Sequence, residues 1–558
     1  MFDSKKLAIP SLDKKVASVK STNSFISAGM KKSAETRSGN NALKYSTTGN
    51  AFVDQFGSVG LYKKPRSFNE IASDCEILWS INPLLSVVFM LYLRMITRVV
   101  VLFNGLSTKI SQKGAELKHE AISRMLWLHV KQPSTFWKNI GLFISVGSWK
   151  DIFVMLQYDL IYHTWEGKIL DWDKMGSLIL TGLENKNTVN LVKKYLPQIK
   201  ARSKCTTPES YADTLVAKWL CTRIFKRDGD HGTIYRQYRK IKTSGTAHTW
   251  QQLISQRQFD RIDFNAIHGR ALSLLVRSKF LKNHGLEDKY NAWIEKPETS
   301  VKYTGFVHEL FQSCQKYRSL VSMPKAEQNT INKQFDTLVE KAGEKGITKL
   351  IVVRDTSGSM GSTAVGCEMA SGDIAKALAL YFSRFLTGTF ADTWIEFNSD
   401  ARMHSWQGDT SLEKWYNDHA SYIGNTSFLS VIRLFCRIKG QGISESDFPS
   451  GILCISDGEF DQTALDDTNV NAARKYLEQA GFSKEYVDNF VIVLWNIPNS
   501  YYSHQPTVKF ETYGKALNVF YFGGYSASIV SFLSEKIRTP EELFESAMNQ
   551  EILSLVEL

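Results

Sequence analysis

From residue 68 to residue 226, apolar side chains recur three and four positions apart, in stretches broken by proline and glycine. That spacing predicts amphipathic helices over Glu70–Trp79, Pro83–Val100, Glu116–His129, Thr135–Val146, Trp149–Tyr162, Met175–Leu183 and Pro208–Lys226, separated by Asn82-Pro83, Gln132-Pro133 and Gly147-Ser148. No strand-like alternation is expected before about residue 346. The pattern then changes to short apolar runs, namely Leu350–Val353, Thr393–Phe397, Ile452–Ile455, Phe490–Trp495 and Asn518–Phe522. Helical stretches at Ala375–Phe385 and Phe428–Phe435 lie between them. Short β-branched runs ending in polar turns read as buried parallel strands, and their alternation with helices predicts a doubly wound α/β sheet. The chain is thus expected to be multidomain: an all-α helical repeat followed by an α/β domain.

Candidate chemistry sits where two of those strands end. Asp355-Thr-Ser357-Gly-Ser359 follows the first, and Ser456-Asp457-Gly458 follows Ile452–Ile455. Open α/β sheets place ligands at the carboxyl ends of their strands. Two carboxylates and two hydroxyls form an all-oxygen donor set suited to a small hard cation such as Mg2+. A phosphate cradle would require G-x-x-x-x-G-K-[ST], which follows none of the strands. Asp355, Ser357 and Ser359 resemble the D-x-S-x-S element of the metal-ion-dependent adhesion site of von Willebrand factor A domains. Gly424-Asn-Thr426 resembles that family's later threonine loop, and Asp457 its final aspartate. The resemblance covers residues 346–535. It implies Mg2+ or another divalent cation on Asp355, Ser357, Ser359, Thr426 and Asp457, completed by a carboxylate from an acidic protein partner.

Charge divides the chain more sharply than its net of +12 suggests. Residues 346–558 carry 16 Lys and Arg against 26 Asp and Glu, leaving 52 against 30 for residues 1–345. A basic first part predicts contact with a polyanion. Seven scattered cysteines without a C-x-x-C pair predict neither a disulfide framework nor a zinc site. Residues 1–50, rich in Ser and Lys, read as a flexible basic segment without a secretory leader. The most apolar stretch, Pro83–Phe103, holds Arg94 and Arg98, so a buried helix is expected there and no membrane span. A cytoplasmic, monomeric protein is the simplest expectation.

Within residues 51–340, several phrases resemble the TROVE module of the Ro RNA-binding proteins. Gly147-Ser-Trp149-Lys-Asp151 is similar to its G-x-W-x-D turn, and Ala217-Lys-Trp219-Leu220 to its A-K-W-L-P signature, with Cys221 replacing the proline. Tyr235–Lys240, Trp250 and Ile262-Asp-Phe264 fit the stretch that leads to Arg270. The chain departs from the family at Arg94–Arg98 and Gln112–Gly114, where Ro proteins carry a longer Arg- and Gly-rich motif. The resemblance implies a ring of HEAT-like helical pairs closed by the A domain; residues 536–558 are expected to form a C-terminal helix closing onto the rest. It also implies small structured RNA or single-stranded RNA ends as ligands, in a ribonucleoprotein of a cell's cytoplasm or, for a viral chain, its host's. The basic candidates for RNA are Arg94, Arg98, Lys113, Lys118, Arg124, Lys150, Arg236, Arg239, Lys240, Lys242 and Arg270, while Trp149 and Trp219 are expected to hold helix pairs together. No catalysis is expected, because the hydroxyl-heavy site lacks an evident general base. A nuclease would need further carboxylates such as Glu459 and Asp461. The competing expectation is a scaffold protein without a specific RNA.

Overall fold

The computed structural model describes residues 35–37, 43–45, 49–58, 66–100, 115–162, 170–225, 231–244, 249–267, 269–299, 301, 303, 305–343, 349–364, 367–397, 400–420, 427–457, 469–497, 518–524 and 540–558. It opens on a short antiparallel pair, β1 (Glu35–Arg37) and β2 (Leu43–Tyr45). This corrects the expectation of no strand ahead of residue 346; three-residue strands are too short for alternation to register in sequence.

Among the described residues ten helices follow: α1 (Ala51–Ser58), α2 (Phe68–Ile81), α3 (Pro83–Val100), α4 (Ala115–Lys131), α5 (Pro133–Val146), α6 (Trp149–Tyr162), α7 (Trp172–Glu184), α8 (Val189–Tyr195), α9 (Pro208–Ile224) and α10 (His231–Ser244). Their starts are chemically marked. Ser67 and Glu70 form a capping box on α2, Thr207 caps α9, and proline opens α5 and α9. Buried residues keep the expected spacing, as in Ile71, Cys75 and Leu78 or Phe136, Ile140 and Phe143. Every residue from Val87 to Arg94 is buried, so α3 is a core helix apolar nearly all round. Among the described residues, no helix is long and apolar enough to cross a membrane. Trp149 packs on Gly182 and Trp219 on Gly176, where a Cβ would meet each indole ring.

A second, smaller core gathers Ile262, Phe264, Leu272, Tyr290 and Ile294, from the helices α11 (Trp250–Ser255), α12 (Arg270–Arg277), α13 (Phe280–Asn283) and α14 (Glu287–Ile294) and the turns between them. The next helices, α15 (Val307–Phe311) and α16 (Lys325–Gly343), pack on the α/β part, with Leu310, Phe311, Ile331 and Phe335 in its core.

Among the described residues that part is a six-stranded sheet ordered β5-β4-β3-β6-β7-β8. The strands are β3 (Leu350–Asp355), β4 (Thr393–Phe397), β5 (Ala401–Ser405), β6 (Gly451–Ser456), β7 (Val491–Asn496) and β8 (Val519–Gly523). Five run parallel, while β5 pairs antiparallel with β4 at one edge. The all-parallel expectation is corrected there. Of the strand Ala401-Arg-Met-His-Ser405 only Ala401 is buried, so no apolar run announces it. Alternate side chains feed two cores: Leu350, Val352, Leu453 and Ile455 on one face, Ile351, Val353, Ile452 and Cys454 on the other. The helix α17 (Ser371–Ser383) covers the first face, and α19 (Phe428–Gly440) and α20 (Asn469–Gln479) cover the second, with α18 (Ser411–Tyr416) beside α16 and α17.

The chain then returns to the helical part. Within the α/β part a short helix, α21 (Lys484–Asn489), lies between α20 and β7. In α22 (Pro540–Met548), Phe544 sits 5.7 Å from Phe52 and 6.0 Å from Phe89, ring centre to ring centre. Ala547, Met548 and Leu553 complete the first core. Asn139 of α5 accepts from the Glu557 amide at 3.1 Å and donates to its carbonyl.

Candidate functional site

Register builds the first candidate site. Asp355 ends β3 opposite Phe397 of β4, and Ser456 ends β6 one step beyond the Arg354–Ile455 pair. The Ser456 hydroxyl donates to Asp355 Oδ2 at 2.6 Å, tying the two strand ends together. Asp355 Oδ1 accepts the Ser357 amide at 2.8 Å, an Asx turn that folds the loop back over the strand end. The Ser357 and Ser359 hydroxyls then lie 3.2 Å apart. Asp355, Ser357 and Asp457 are buried.

The electrostatics fit a cation. Burial, and after it the charge of Asp457, push the Asp355 carboxyl up to about 7, against the pull of its hydrogen bonds with Ser456 and Ser357. Two buried carboxylates that raise each other's cost of ionisation are the arrangement a hard dication relieves, and two neighbouring hydroxyls supply the neutral oxygens. Asp355, Ser357, Ser359 and Asp457 are thus brought together at one sheet edge. Thr426, Glu459 and Asp461 lie outside the described residues. No cluster of three or more His, Cys, Asp or Glu side chains suited to a metal occurs among the described residues, so serine hydroxyls are essential to any metal reading of this edge.

Two groups behind this edge escape a reading of the sequence. Ser456 carries no signal there beyond its place next to Asp457. Glu396 of β4, 3% exposed, accepts the Thr356 hydroxyl at 3.1 Å, and its other oxygen lies 2.8 Å from His404 Nε2. The available signal is a lone acid in the apolar run Thr-Trp-Ile-Glu-Phe, since buried acids require partners. A separate ion cluster joins Arg354 to Asp418 at 2.8 Å and Lys376 to the same carboxylate at 3.2 Å. The Arg354 guanidinium lies over Trp394.

The basic candidates divide by burial. Arg94 and Lys118 are buried and bind opposite oxygens of Asp151, Arg94 Nη2 at 2.8 Å and Lys118 Nζ at 2.9 Å. Arg124, fully buried, reaches Gln55 at 3.0 Å, Glu120 at 3.4 Å and Asp74 at 3.6 Å. Arg66 binds the same two acids. Arg270 pairs with the buried Glu309. Arg94, Lys118, Arg124 and Arg270 are thus each paired with a carboxylate of the chain, Arg270 from a partly exposed position. Lys242 is half-buried over the carbonyls of Lys194 and Leu196 at the end of α8. Lys150, Arg236, Arg239 and Lys240 are exposed. The Arg98 side chain and Lys113 lie outside the described residues. Arg239 and Lys240 line an open groove of about 570 Å3 with Gln252, Gln256, Gln258 and Arg261, the last a cation absent from the sequence-based candidates.

Fold and site together define a two-part protein, helical and then mixed α/β, with an oxygen-rich edge at the ends of β3 and β6. A family model described as "Domain of unknown function (DUF7788)" matches residues 349–554, from the start of β3 to beyond α22. No curated protein matches the chain.

Proposed function

We propose that this chain is a non-catalytic binding protein of the Ro type. In this reading its von Willebrand A-like sheet takes an acidic protein through a divalent cation, and its helical part takes RNA. The observation that carries the first half is the meeting of Asp355, Ser357 and Asp457, all buried, with the half-buried Ser359 at the carboxyl ends of β3 and β6. Asp355 and Asp457 supply charge, Ser357 and Ser359 neutral oxygens, directly or through water, and Thr426 is the remaining ligand the resemblance implies. A bound Mg2+ supplies a coordination position that a partner's carboxylate can fill. Ser456 and the Ser357 amide hold Asp355 in place for that role. Pull-down of acidic partners in Mg2+ and again in EDTA tests this. Capture is expected in Mg2+ alone and lost in Asp355→Ala, with RNA affinity retained. Equal loss of both would count against separate sites.

The RNA half rests on the resemblance and on the groove of Arg239, Lys240 and Arg261. Such a groove attracts phosphates without reading sequence, so affinity should fall steeply with salt. Charge reversal at Arg239 and Lys240 is expected to weaken RNA binding and to flatten the logarithmic salt dependence, by about 0.7 for each single-strand phosphate no longer neutralised. An unchanged slope would move the RNA elsewhere and favour a scaffold without specific RNA.

A further inference from the structure

The metal-site loop is held from the side by a chain of polar contacts that its own motif does not contain. Thr356 stands between Asp355 and Ser357 and is fully buried. Its amide donates to the Phe397 carbonyl at 3.0 Å and its hydroxyl to Glu396 Oε1 at 3.1 Å. Glu396 Oε2 lies 2.8 Å from His404 Nε2, and the His404 ring stacks on Trp394 with centres 4.7 Å apart. The carboxylate is therefore fixed at both oxygens, one by the antiparallel edge strand and one by the loop. We infer that Glu396 is a positioning residue of the metal centre: through the Thr356 hydroxyl it sets the loop from which Asp355, Ser357 and Ser359 project. The inference rests on the metal reading above and adds a residue to it.

A buried acid this close to a cation site has a rival role, that of simple long-range attraction for the ion. The two roles differ in what they need. Positioning requires an acceptor for Thr356 and a group facing His404. Glutamine provides both, with its amide NH2 facing a His404 Nε2 that accepts. Attraction requires the negative charge, which glutamine lacks.

Mn2+ binding to the full chain, followed by calorimetry and by the electron paramagnetic resonance of the bound ion, separates them. Removal of groups behind a ligand typically costs about 10-fold or more in metal affinity. Thr356→Val and Glu396→Leu are each expected to lose about that much, while Thr356→Ser and Glu396→Gln recover most of the loss. Melting of each variant without metal identifies any that fail to fold; the two conservative variants then carry the test. Full binding by Thr356→Val, or a Glu396→Gln as weak as Glu396→Leu, overturns the positioning role while leaving the metal reading intact. A wild-type chain that takes no Mn2+ overturns both.

Discussion

Asp151 in the helical part and Asp355 in the sheet are both fully buried aspartates, and their surroundings treat them in opposite ways. Burial works to raise both. Around Asp151, Lys118 and Arg94 more than offset it, and the carboxyl is held below its ordinary value. Around Asp355 the neighbouring charge is Asp457, and the carboxyl rises to about 7. The first environment is an ion cluster completed by the chain's own residues, and it acts as a structural joint. Asp151 also accepts the Ser148 amide at the start of α6, so one carboxylate joins α3, α4 and the turn into α6. The second brings like charges together at a strand end beside two hydroxyls, and under the proposed function a cation from outside completes it. Buried charge alone thus does not mark a binding site. The sign of what faces it is what separates the two aspartates.

The sharpest break in this comparison comes from neutralising each aspartate. Asp151→Asn leaves Arg94 and Lys118 buried against an amide, and removal of one partner from a buried ion cluster costs about 3–5 kcal/mol. Urea unfolding should show a loss of that size, and a loss under 1 kcal/mol (about the worth of an exposed pair) would mean the cluster opens to water. Asp355→Asn, by contrast, relieves repulsion, so its metal-free stability should equal or exceed that of the wild type.

A smaller effect is expected one turn away. At Gly147 a Cβ would land against Asp151 Oδ2, 2.8 Å from the Phe143 carbonyl oxygen and 2.9 Å from Arg94 Nε. Gly147→Ala should therefore cost about 1–3 kcal/mol, as overpacking does, measurable by the same unfolding curves. A neutral result would show that the turn relaxes without disturbing the Asp151 cluster.

The smallest effect is one of pH. Asp355 has its folded carboxyl raised, so the stability it gives the metal-free chain is fully present below the ordinary carboxyl range and is lost as pH rises through about 7. Metal binding must displace that proton, so Mn2+ affinity should climb as pH rises through the same region and then level off. Calorimetry in buffers of different ionisation enthalpy reads the released proton. A flat profile through this region would place the ion away from Asp355.

The same contrast decides what could be read from sequence. The helices α2 to α7 and α9 and the five parallel strands were legible because burial imposes a period or an apolar run. The edge strand β5 was not, since polar Arg402, His404 and Ser405 leave nothing to count. The oxygen-rich cluster was legible because Asp355, Ser357 and Ser359 lie within five residues of each other and Asp457 lies directly after a strand. Glu396 was not, because its relation to Thr356 arises from the β3–β4 register, forty residues apart in the chain. The basic residues were legible as charge, but Arg94 meets Asp151 across 57 positions. Lys and Arg counts therefore overstated the surface available to a polyanion. Trp149 and Gly147 were legible as a turn phrase, whereas the clash that keeps a side chain out of position 147 appears only in three dimensions.

The most direct measurement is a calorimetric titration of Mn2+, and separately Mg2+, into the metal-stripped full chain and into Asp355→Asn. A cation held by the strand ends predicts saturable binding of one ion by the wild type and none at that site in the variant, with both chains equally folded. No saturable binding by the wild type, or equal binding by the two, would contradict a cation site at this edge.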